Sequence, residues 1–103
     1  MDEAARHHAR IAGLISAAEQ VADHHAGDDP FSEWAAAANA ITLARMPDSP
    51  APLDIVPAVT CSVLLSEALS LLDALTAEQR RPSHSLDRVY VVAALARVKE
   101  LEQ

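Results

Sequence analysis

Four of the five histidines lie in two adjacent pairs near the start of the chain, His7 with His8 and His24 with His25. Imidazole binds transition metals and takes up a proton close to neutral pH, so such pairs can form a metal site or a pH-dependent contact. On a helix, however, adjacent side chains diverge by about 100°. Helical metal sites use ligands three or four residues apart instead. We therefore assign no metal site and keep the four histidines as candidates for ligand binding or pH response.

The two histidine pairs are also far apart along the chain. His7 and His25 are separated by 18 residues, which is about 27 Å along a helix. One copy of the helix cannot bring them to one ion, whereas two antiparallel copies in a dimer could. The alternative is that the four histidines are ordinary solvated or half-buried helix residues. His24 and His25, next to Asp28 and Asp29, still form the best local group for an adventitious divalent ion.

A second candidate site lies in the stretch RRPSHS. Cationic side chains next to the free amides of a helix N-terminus can hold phosphate or carboxylate. The alternative is a solvated loop between helices with a serine cap. The candidate anion-binding residues are Arg80, Arg81, Ser83 and Ser85.

No catalytic constellation is evident. His84 has serine and aspartate neighbours, but there is no nucleophile elbow, and sequence neighbours rarely converge into a triad. Cys61 lies on an apolar helix face and is most simply a small core residue. We expect no cofactor and a non-enzymatic protein. A small enzyme whose site is shared across a dimer interface, built from Arg80, Arg81 and His84, stays an alternative.

Composition limits the partners. The net charge is −7, and binding to nucleic acid relies on clustered Lys and Arg, so we expect no nucleic-acid partner. The longest uncharged run has 12 residues, Ile55 to Ser66, shorter than the roughly 20 needed to cross a bilayer. The charged start of the chain does not resemble a secretory signal. With a single cysteine, the sequence favours a cytoplasmic protein with no membrane partner.

Hydrophobic periodicity predicts four helices in one domain over residues 1–103, at about 2–26, 30–45, 55–79 and 85–102. The first helix has an apolar stripe, with His7 and His25 near its centre and His8 at its edge. The stripe consists of Ile11, Leu14, Ile15, Ala18, Val21 and Ala22. The expected helix ends are a left-handed cap at Gly27, a restart at Asp29 and Pro30, and a cap at Asp54. The predicted inner face of the second helix consists of Phe31, Trp34, Ala35, Ala38 and Ile41, with Thr42 beside them. A strand over Val89 to Val92 is the competing interpretation in the fourth helix.

The resulting fold class is all-α, a four-helix antiparallel bundle with short connectors and helix 3 in the centre. Helix 3 is apolar on two sides, and helix 4 has more apolar circumference than one neighbour covers. We expect a homodimer that uses this excess and acts through protein-protein contacts, as an accessory or regulatory module that also binds another protein. The alternative for helix 4 is a position between helices 1 and 3. The alternative function is a ligand- or metal-binding protein that uses the histidine-rich face of helix 1.

Overall fold

The computed structural model describes residues 3–44 and 60–102. Its elements are α1 (Glu3–Ala26), α2 (Glu33–Ala44), α3 (Cys61–Ala74) and α4 (His84–Leu101). The described residues contain no strand, and the segment Val89 to Val92 is helical. The predicted all-α class is therefore confirmed.

Each helix packs against two others. α1 contacts α2 and α3, and α4 contacts the same two helices, whereas the described residues of α1 and α4 do not meet, nor do those of α2 and α3. α3 packs against α1 and α4, and these contacts support its predicted central place only in part, since every other described helix also packs against two. They also place α4 against α2 and α3 rather than between α1 and α3.

Side-chain contacts give the direction of neighbouring helices. Near the start of α1, Arg10 donates to Glu67 of α3, whereas further along α1 the thiol of Cys61 donates to the carbonyl of Ala18 at 3.3 Å. Because higher numbers on α1 meet lower numbers on α3, the two helices run in opposite directions. In the same way, Asp73 meets Arg88 and Ser62 meets Glu102 between α3 and α4.

The core is built from small and medium aliphatic side chains contributed by all four helices. In α1, every residue from 11 to 18 is buried, so the middle of this helix is covered around its whole circumference. The predicted stripe of α1 is confirmed, and the largest fully buried side chains of the core are Ile11, Ile15, Ile41, Leu65, Leu72, Val91 and Val98. All-round burial is a property of α1, not of α3.

The turn between α1 and α2 begins as predicted and ends later. Gly27 has φ +60°, a left-handed conformation that suits glycine at a helix C-terminus. Asp29 then accepts a hydrogen bond from the amide of Phe31 at 2.9 Å within the turn, and Ser32 accepts one from the amide of Ala35 at 3.0 Å. Ser32 is therefore the capping residue of α2, which starts at Glu33 rather than at Pro30.

Phe31 consequently does not lie on the inner face of α2, and that prediction was wrong. Phe31 is 95% exposed, because it belongs to the turn that precedes α2. The buried face of α2 consists of Ala37, Ala38, Ile41 and Ala44, while Trp34 is partly buried at its edge. Arg45, the predicted last residue of this helix, lies outside the described residues.

α3 is shorter than predicted at both ends. Thr60 is extended, with φ −81° and ψ 157°, and its hydroxyl accepts from the amide of Val63 as the N-cap. The predicted cap, Asp54, and residues 55–59 lie outside the described residues. At the other end, Leu75 returns to an extended conformation with ψ 134°, and its side chain is still buried, so the helix ends at Ala74 and not at Gln79.

α4 follows Ser83 and ends close to the predicted position. Within the described residues, no helix has both the length and the apolar character that crossing a membrane requires.

Replacement of Leu65 with alanine tests the core. Leu65 is fully buried, so we expect Leu65→Ala to lower the free energy of unfolding by about 2–5 kcal/mol, because it removes apolar contacts and leaves a cavity. Val63 on the same helix is 55% exposed, and Val63→Ala should change stability by less than about 0.5 kcal/mol. Urea denaturation followed by circular dichroism measures both, and equal losses would contradict this packing.

Candidate functional site

The first histidine pair lies close to the loop between α3 and α4. The Nε2 atom of His8 is 2.7 Å from the carbonyl oxygen of Gln79. This contact connects the start of α1 with the loop that follows α3. The other ring nitrogen of His8, Nδ1, is buried and has no hydrogen-bond partner among the described residues. The sequence placed His8 at the edge of the apolar stripe, but the loop covers it.

His7 is half-buried and faces an acid of its own helix. Its Nε2 atom is 3.9 Å from a carboxylate oxygen of Glu3, one turn earlier. This pair is an ion pair only when the imidazole carries a proton. Since Glu3 is largely exposed, the attraction between the two side chains is weak.

The second histidine pair packs on the tryptophan. The ring centroids of His25 and Trp34 are 4.6 Å apart with an interplanar angle of 30°, and the ring of His24 meets that of His25 edge-on at 6.1 Å. His25 was predicted near the centre of the apolar stripe, but both histidines are exposed. The end of α1 extends beyond the buried core, so His25 contacts Trp34 of α2 at the surface.

The two pairs thus lie at opposite ends of α1 and form no common site in one copy of the chain. Residues 8 and 24 are about 24 Å apart at 1.5 Å per residue. Nowhere in residues 3–44 and 60–102 do three or more His, Cys, Asp or Glu side chains form a group that could hold a metal ion. Asp28 and Asp29 therefore do not join His24 and His25 in such a group.

The predicted anion-binding residues lie around the start of α4. Ser83 occupies the N-cap position, but its side chain makes no capping bond and donates to a carboxylate oxygen of Asp87 at 3.0 Å. The amide of His84 donates to the carbonyl of Arg81 at 2.9 Å. An acid and a turn hydrogen bond thus engage the Ser83 hydroxyl and the His84 amide, and anion binding at the start of α4 stays a prediction. Arg80 and Ser85 are exposed and Arg81 is half-buried.

An ion pair that the sequence did not reveal lies next to this loop. The guanidinium of Arg88 donates to both carboxylate oxygens of Asp73, at 2.7 and 3.4 Å. This hydrogen bond lowers the pKa of Asp73, and the charges of His84 and Arg80 act in the same direction. The residues are 15 positions apart on different helices, so only the packing of α3 on α4 brings them together.

Cys61 is a core residue, as predicted. It is fully buried at the start of α3, and burial, with a smaller contribution from the charge of Glu102, raises the pKa of its thiol to about 12. A nucleophilic cysteine needs a lowered pKa and access to solvent. Cys61 has neither.

The most distinctive surface feature is an apolar face of α4. Leu86 and Val89 are 53% and 59% exposed. Neighbouring positions at helical spacing are exposed as well, and together they form what we call the α4 stripe: Leu86, Val89, Val92, Ala93 and Ala96. The core face of the same helix, which includes Val91, Ala94, Leu95 and Val98, points the opposite way.

The described residues define a small all-α protein with an exposed apolar helix face. A comparison with protein-family models finds no match, and comparisons with curated proteins and with solved structures find none either.

The thiol of Cys61 should be inert until the chain unfolds. At mildly alkaline pH, we expect Ellman's reagent to label the native protein far more slowly than the urea-unfolded protein, whereas an added cysteine at the exposed Ser70 reacts at once. Burial raises the pKa of this thiol to about 12 in the folded chain, above the ordinary value of 9.0. Stability linked to this thiol is therefore complete below pH 9.0 and falls as the pH rises towards 12, and Cys61→Ala should remove that slope. Fast labelling of native Cys61 would contradict its burial.

The contact between His25 and Trp34 can be followed by fluorescence, because Trp34 is the only tryptophan. Loss of the imidazole ring exposes one side of the indole to water, so we expect the emission of His25→Gln to shift to longer wavelength. The variant His7→Gln, at the other end of α1, should keep the emission of the unmodified chain. Identical emission from His25→Gln and the unmodified chain would show that the two rings do not touch in solution.

Proposed function

We propose that this chain is a small cytoplasmic helical protein, an antiparallel four-helix bundle, that acts through protein-protein contacts as a homodimeric accessory or regulatory module. The observation that carries the proposal is the α4 stripe, whose apolar side chains lie on the side of the helix away from the core.

A single exposed apolar side chain is ordinary on a protein surface. The α4 stripe differs because its members follow one another at helical spacing from residue 86 to residue 96, which makes the apolar surface continuous. Removing such a surface from water is favourable by about 25 cal/mol of free energy per Å² of apolar area. Continuous exposed apolar patches of this kind are typical of protein interaction sites.

Charge and redox chemistry support a protein partner in the cytoplasm. The net charge of −7 disfavours polyanions as partners. The buried thiol of Cys61 is free, as expected for a protein kept in a reducing compartment. No arrangement of the described residues favours the histidine-based or the enzymatic alternative over an interaction surface.

Analytical ultracentrifugation tests the proposal. We expect a reversible dimer whose population grows from micromolar to millimolar concentration, and we expect Val89→Glu to be monomeric, because a carboxylate in the middle of the apolar interface would lose its hydration. The exposure of Val89 means that this variant should keep the circular dichroism spectrum and the urea midpoint of the unmodified chain.

The matched control is Phe31→Glu. Phe31 is another exposed apolar residue, in the turn between α1 and α2, and its replacement should leave the dimer intact. A chain that stays monomeric over the whole concentration range would overturn the homodimer. A dimer lost in Phe31→Glu but retained in Val89→Glu would overturn the role of α4.

A further inference from the structure

We draw no further inference here: the strongest candidate, the turn between α1 and α2 that exposes Phe31 next to the acidic residues Asp28 and Asp29, is a surface patch for which nothing in the described part of the chain shows what covers it.

Discussion

The packing of α1 against α2 and α3 is the constraint on which the rest of the described structure depends. The described residues of α2 and α3 do not meet, so the relative position of these two helices is set by the helices that contact both of them, α1 on one side and α4 on the other. The middle of α1 is buried on all sides, and most of its buried residues are alanines or medium-sized aliphatic residues. Small side chains let the helices approach closely, and the contact area between backbones replaces what larger side chains would supply.

Polar contacts between helices specify the relative directions of the helices around this apolar core. Arg10 with Glu67 joins α1 to α3, Thr42 donates to Glu19 at 2.9 Å between α2 and α1, and Glu102 accepts from the amide of Ser62 at the start of α3. These groups are exposed, so each contact contributes little to stability. Their effect is on specificity, because Ala-rich helix faces offer few other features that favour one direction or register.

The distribution of apolar residues around α4 explains why a surface remains for a partner. α4 has aliphatic residues on opposite faces, and one face is used by the core. Among the described helices, α4 packs against α2 and α3, and the face that carries Leu86 and Val89 is left exposed. The histidines and the loop before α4, by contrast, are engaged in local contacts with Gln79, Glu3, Trp34 and Asp87.

The sequence by itself determined what local physics controls. Apolar periodicity predicted four helices and the buried stripe of α1, Gly27 predicted a left-handed cap, and the apolar surroundings of Cys61 predicted a core thiol. Each of these depends on residues within a few turns of one another. The ends of the helices could not be determined as well from the sequence. Both Asp29 and Ser32 are suitable caps for α2, and only the geometry of the turn shows that Ser32 is the residue that caps it.

Only the tertiary structure decided which residues from different helices meet. Three contacts depend on how the helices are placed in space: Asp73 with Arg88, His8 with the loop after α3, and His25 with Trp34. The exposure of Phe31 follows from the turn in which it lies. A periodic pattern indicates that a helix has an apolar face, but it does not indicate which neighbour covers that face. For α4, the packing left one such face exposed, and this face is the basis of the proposed function.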